Sequence, residues 1–111
     1  MYAVFRTEQF EKEVAKKFSP EEQTQVRNLE IKQLRHNPYV GDPLGYKFLR
    51  EKKVSGKRVY YLIYEDFKMV LLVQVSNKKQ QQEVINKIKA ELEKYYLLME
   101  SFKLRGEFGL S

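Results

Sequence analysis

Residues 69–75, MVLLVQV, are apolar at both odd and even positions. Successive side chains of a strand point to opposite faces, so a strand apolar on both parities has to be covered on both faces. This stretch is therefore predicted to be a central strand, and the rest of the chain has to supply its neighbours and its cover. Residues 58–64, RVYYLIY, provide the adjoining strand, with Arg58, Tyr60, Leu62 and Tyr64 on one face and Val59, Tyr61 and Ile63 on the other. Ser55-Gly56 before it fits a tight hairpin turn, and residues 65–68 after it form a second turn. Residues 46–54 complete an antiparallel meander of three strands. In that stretch Phe48, Arg50, Lys52 and Val54 share one parity, and Lys47, Leu49, Glu51 and Lys53 share the other.

The flanks read as helix around this sheet. Residues 2–6, YAVFR, form a short first strand. Thr7 caps a helix on which Phe10, Val14 and Phe18 make one apolar stripe. Ser19-Pro20-Glu21-Glu22 is a capping box with proline at the first helical position, and it starts a second helix that runs to about Arg35. Residues 36–45, HNPYVGDPLG, are turn chemistry. Ser76 or Asn77 is the expected cap of a last helix, in which Val84, Ile85, Ile88, Leu92, Tyr95 and Met99 keep helical spacing to about Glu100. The predicted fold is α+β, in the order β-α-α-β-β-β-α. An antiparallel sheet carries the helical hairpin, and the C-terminal helix packs on the same sheet or its edge. The 111 residues read as a single domain over 1–100 and a tail over 101–111, where Phe102, Leu104, Phe108 and Leu110 alternate with polar residues, so that the tail either pairs as an edge strand or stays mobile.

Charge narrows the function. Lys and Arg number 21 against 15 Asp and Glu, a net charge of +6. The sequence pI near 9.4 suits an anionic partner, most often nucleic acid, although the same surplus also keeps a small domain soluble. The chain has no cysteine, which excludes thiolate metal sites and a cysteine nucleophile, and its one histidine, His36, leaves no two-histidine metal site. Neither a phosphate loop nor a nucleophile elbow is present, and no metal or cofactor is expected. Without a membrane-length apolar run or a signal pattern at the N-terminus, a cytoplasmic protein with no membrane partner is expected.

Residues 46–50, YKFLR, then 56–64, GKRVYYLIY, and the basic turn Ser76-Asn77-Lys78-Lys79 resemble the RelE family of the RelE/ParE toxin superfamily, with archaeal-type RelE-like proteins closest in flavour. The resemblance spans about residues 2–95 in element order and 46–79 in residue pattern. It implies a toxin of a toxin-antitoxin system: a metal-independent endoribonuclease that cuts messenger RNA on the ribosome, inhibits translation, and is masked by a cognate antitoxin. It carries the strand arginine onto Arg58, the basic residues of the preceding strand onto Arg50, Lys52 and Lys53, and the arginine before the last helix onto Lys79 or Lys78. The family's C-terminal tyrosine falls near Ile85, so Tyr95 or Tyr96 would have to replace it. This gap leaves open a RelE-fold homologue that binds RNA or protein without cutting. The ParE branch of the superfamily adds a third reading, a topoisomerase inhibitor.

Cleavage by an RNA 2′-hydroxyl requires a base, a cation for the developing charge and an acid for the leaving oxygen. Arginine grips phosphate in a bidentate way, which assigns transition-state clamping to Arg58. Lysine serves as base where neighbouring cations favour its neutral form, which makes Lys52 and Lys53 the candidates. Lys79 completes the expected catalytic set, and Arg50, Lys47, Lys57 and Lys78 are the expected phosphate contacts. Lys78 and Lys79 are expected in the first turn of the last helix, where free amides favour anions.

Overall fold

The computed structural model describes residues 1–105. The chain runs β1 (Ala3–Arg6), α1 (Glu8–Lys17), α2 (Pro20–Asn28), β2 (Asp42–Pro43), β3 (Leu49–Val54), β4 (Lys57–Tyr64), β5 (Met69–Ser76), α3 (Gln81–Ala90) and α4 (Leu92–Leu104). The sheet order is β1-β5-β4-β3-β2, so β5 has a strand on each side, and all its residues are buried. β3, β4 and β5 form the expected antiparallel meander, and Ser55 (φ +50°) with Gly56 (φ +81°) makes a two-residue turn of the kind that matches strand twist. One expectation changes: β1 lies parallel to β5, so the sheet is mixed. Strand direction is set by how a crossover returns the chain, and residue alternation does not carry that information.

The helical hairpin covers one face. Thr7 accepts from the Phe10 amide at 3.0 Å, and Ser19 and Glu22 form the reciprocal capping box at 3.1 and 2.9 Å. Phe10, Val14 and Phe18 pack with Val26, Leu29 and Leu34 against Val59, Tyr61, Val70 and Leu72 of the sheet. After Asn28 the second helix widens into a π-helical stretch, Leu29–Leu34, closed by the Arg35 amide on the Glu30 carbonyl at 3.2 Å. The wider turn brings Leu29 and Leu34 onto one buried face and leaves Ile31 46% exposed.

α3 and α4 cover the opposite face. Ile85, Ile88, Tyr95 and Met99 meet Leu49, Tyr60, Leu62, Leu71 and Val73. The single last helix expected from the spacing is two helices, broken at Glu91, where the backbone opens to φ −114° and ψ 16°. It also starts later than expected, because Ser76 still belongs to β5 and Asn77 accepts the Gln80 amide in a turn at 2.9 Å. α4 continues to Leu104, so Phe102 and Leu104 are helical instead of forming an edge strand, and Phe102 stacks on Phe5 at 5.0 Å. Phe108 and Leu110 lie outside the described residues. No helix among the described residues is long and apolar enough to cross a membrane.

A β-bulge keeps the two cores consistent. Tyr60 pairs with Gln74 while Tyr61 pairs with Leu72, which leaves Val73 as the extra residue. Before the bulge, Val70 and Leu72 face the hairpin; after it, Val75 does. Gln74 and Ser76 are thereby turned away from the hairpin core, where their polar atoms would lack partners.

Tyr61 fastens the segment before β2 to the sheet. Its buried hydroxyl donates to the Pro38 carbonyl at 2.7 Å and accepts the Gly41 amide at 3.0 Å, and a Cβ on Gly41 would lie 2.5 Å from that oxygen. Tyr61→Phe is expected to destabilise the protein by about 1–3 kcal/mol in urea unfolding, since it strands two buried main-chain groups. Gly41→Ala should also lower the midpoint, by steric conflict.

Glu65 gathers three donors, and its carboxyl is lowered to about 2 by hydrogen bonds from Lys68, Tyr39 and Tyr2, in that order of size. Because its folded value lies below its unfolded one, the stabilisation is complete above the ordinary carboxylate range and disappears as pH falls through about 2. Glu65→Gln should therefore flatten the acid limb of the stability-pH curve in that window, with no change of slope near neutrality.

Candidate nucleic-acid interface

The β3–β4 turn fixes which cations share a face. Val54 pairs with Lys57, so Lys53 lies opposite Arg58, Lys52 opposite Val59, and Glu51 opposite Tyr60. Arg58, Tyr60, Lys53 and Glu51 therefore belong to the face covered by α3 and α4. Lys52 shares the other face with Val54 and Val59, which pack in the hairpin core. The expected grouping of Lys52 with Arg58 thus does not form, because neighbours in a strand alternate faces.

Arg58 is 8% exposed. Its Nε lies 3.4 Å from Glu51 Oε1 without making a hydrogen bond, and Nη1 lies 3.5 Å from the Gly56 carbonyl. Glu51 is also buried, and its Oε1 accepts from Gln81 Nε2 at 2.7 Å. Ser76, the register partner of Arg58, bonds Tyr60 hydroxyl to hydroxyl at 2.7 Å. Gln74 donates to the Tyr95 hydroxyl at 3.3 Å. A buried polar cluster thus surrounds Arg58 beneath the start of α3. The sequence signal for Glu51 was present, since hairpin register puts it diagonal to Arg58, whereas Gln74 reaches this face only through the bulge. Gln81 and Ser76 depend on where α3 docks and on the bulge.

The turn from Ser76 to Gln81 runs beside this cluster, since Ser76 pairs with Arg58 and Gln81 touches Glu51. It carries Lys78 and Lys79, both exposed and in no ion pair among the described residues. They precede α3 instead of occupying its first turn, and the N-cap, Gln80, makes no side-chain cap bond. The Gln80 and Gln81 amides bond Asn77 Oδ1 and the Lys78 carbonyl, so two exposed lysines precede a helix start that has no side-chain cap. Lys53 is exposed and likewise unpaired among the described residues.

The other expected phosphate contacts have structural partners. Arg50 donates from Nε to the Lys47 carbonyl at 2.9 Å and from Nη1 to the Gly41 carbonyl at 2.9 Å, with its guanidinium 5.2 Å from the Tyr39 ring centroid. Lys47 lies over the same ring at 5.4 Å. Lys57 pairs with Glu22 at 2.7 Å on the hairpin side. Arg50 and Lys57 thus hold the loop and the second helix, away from Arg58.

Ile85, where the resemblance would place a tyrosine, is a core residue. Burial pushes Tyr60 up to about 12, and burial likewise raises Tyr95 and Tyr64. Tyr95 is enclosed beside Gln74, and Tyr96, 45% exposed, lies against Tyr64 and Phe67.

Neither a protein-family model nor a curated protein sequence matches the chain. Solved structures do. A free RelE toxin of E. coli carrying two arginine-to-alanine substitutions superposes with a TM-score of 0.63 at 18% identity, covering 78% of this chain and 97% of that one. The RelBE2 toxin-antitoxin complex of Mycobacterium tuberculosis gives 0.60 at 21% identity, over 69% and 91% of the two chains. The intact E. coli RelBE complex gives 0.60 at 18%, over 69% and 96%. Nearly the whole of each matched chain is covered by the larger part of this one, which therefore has a RelE-like fold.

Proposed function

We propose that the chain is the toxin of a toxin-antitoxin pair and acts on messenger RNA at the ribosome as a metal-independent endoribonuclease. The observation that carries this reading is the convergence of Arg58, Lys53 and the Lys78–Lys79 turn at one end of one sheet face within a RelE-like fold. The RelE toxins in two of the matching structures are in complex with antitoxins, which supports a cognate antitoxin as protein partner.

In the reaction, the RNA 2′-oxygen attacks the adjacent phosphorus and passes its proton to a base. The bond to the 5′-oxygen breaks as an acid protonates it, leaving a cyclic phosphate. Lys78, Lys79 and the start of α3 anchor a phosphate by charge and dipole. Arg58 stabilises the charge that develops on the attacked phosphate. Lys53, exposed directly across from Arg58, carries the proton. The buried Tyr60, its hydroxyl raised by burial and bonded to Ser76, is not assigned a part in the proton transfers.

The Arg58–Glu51 pair favours a second reading. A carboxylate already beside the guanidinium competes with phosphate, so a chain that holds RNA without cutting it also fits this geometry.

Translating ribosomes separate the two. Purified protein should cut messenger RNA, its expression should arrest growth, and Arg58→Ala should lower cleavage by about 100-fold. Intact message, with salt-sensitive RNA retention that Lys78→Ala and Lys79→Ala weaken, would establish the binding reading instead. In either case Glu51→Gln should tighten RNA binding, by about tenfold in a filter or polarisation assay, because it removes the competing charge.

A further inference from the structure

Glu51 Oε1 lies between two donors. Gln81 Nε2 reaches it at 2.7 Å, while Arg58 Nε stands 3.4 Å away. A hydrogen-bonded guanidinium and carboxylate approach to about 2.8 Å, so this oxygen is bonded to the neutral amide and not to the cation. Charge alone would select the cation. Arg58 Nε is left buried with no hydrogen-bond partner, which is uncommon for a buried donor and calls for a reason. Nη1 reaches only the Gly56 carbonyl, at 3.5 Å, and Nη2 makes no hydrogen bond among the described residues. The guanidinium is thus enclosed in the fold with most of its donors unused.

The other polar side chains of the cluster are engaged elsewhere. Tyr60 and Ser76 bond each other at 2.7 Å, and Gln74 donates to Tyr95 at 3.3 Å. Lys53, the other cation of this face, forms no ion pair among the described residues. Among those residues Gln81 alone hydrogen-bonds the Glu51 carboxylate. The main chain of Glu51 is fixed in β3 opposite Tyr60, so a side-chain rotation is enough to close the gap to Arg58. Gln81 opens α3, and its amide bonds the Lys78 carbonyl at 3.4 Å. The turn that carries Lys78 and Lys79 therefore also sets where the Gln81 side chain reaches.

We propose that Gln81 is a positioning residue for the Arg58 site: it restrains Glu51 and so keeps the guanidinium able to take an RNA phosphate. This role rests on the reading of Arg58 as a phosphate ligand. Without the Gln81 amide, Glu51 Oε1 turns to the nearest remaining donor, Arg58 Nε–H. The closed pair neutralises the cation, and a phosphate at Nη2 is then held more weakly. Because Gln81 follows Lys79 in the same turn, one short segment both supplies an anion contact and keeps the second contact available.

A short 2′-deoxy oligonucleotide tests it, since it offers phosphates but no 2′-hydroxyl to attack them. Gln81→Met keeps the length of the side chain and removes the amide. It should weaken binding of the oligonucleotide by about tenfold in a polarisation assay. In the Glu51→Gln background the same substitution should change binding by less than about twofold, because no carboxylate remains to be restrained. In NMR spectra the Arg58 Nε–H resonance should move downfield in Gln81→Met, as the donor gains a carboxylate partner, and stay in place when Glu51→Gln is already present. Cooperative thermal unfolding checks that each variant folds. Equal weakening in both backgrounds, as a merely structural role or a direct contact of Gln81 with the oligonucleotide would give, overturns the proposal. So does tighter binding by Gln81→Met, which would make Gln81 a latch that holds Glu51 on Arg58, and so does an unmoved Nε–H resonance. If Arg58→Ala binds the oligonucleotide as tightly as the unchanged protein, the reading of Arg58 as phosphate ligand fails instead, and the Nε–H shift decides by itself whether Gln81 restrains Glu51.

Discussion

Burial of β5 on both faces is the constraint on which the architecture depends. A strand with eight residues out of solvent requires a strand on each side and helices above and below. The hairpin of α1 and α2 fills one side and α3 with α4 the other. The Val73 bulge is part of the same solution. Without it the alternation would send Gln74 and Ser76 into the hairpin core, and unpartnered polar groups there would destabilise the fold. With it they join Tyr95 and Tyr60 in hydrogen bonds on the other face.

That arrangement also determines the character of the basic site. Arg58 belongs to the same strand that packs both cores, so it cannot be a freely solvated cation. Its charge is held in the fold by Glu51, and Glu51 is held by Gln81 at the start of α3. A buried pair of this kind is weak support for stability, yet removing one partner leaves an uncompensated charge. The same guanidinium is thus both a structural group and the best-placed phosphate ligand, and anion binding there has to compete with an internal carboxylate.

The surface cations divide in a similar way. Arg50 and Lys57 tie loops and helices to the sheet, while Lys53, Lys78 and Lys79 stay exposed around Arg58. A high pI overstates the charge available to a partner, because part of it is neutralised inside the molecule. Among the cations left exposed are Lys53 and the Lys78–Lys79 turn before α3.

The residue pattern by itself determined the central strand, the meander, the Ser55-Gly56 turn, the Thr7 and Ser19 caps and the Phe10–Val14–Phe18 stripe, because each follows from local alternation, spacing or capping chemistry. It also held the separation of Lys52 from Lys53, which hairpin arithmetic gives directly. Tertiary structure alone decided the rest. The parallel pairing of β1, the break at Glu91 and the Val73 bulge leave no local signature, since no glycine or proline marks them. The burial of the Arg58–Glu51 pair under Gln81, and the engagement of Arg50 by carbonyls distant in sequence, depend on packing. A charged side chain is legible in the sequence, but whether it faces a ligand or a partner within the fold is set by what packs around it.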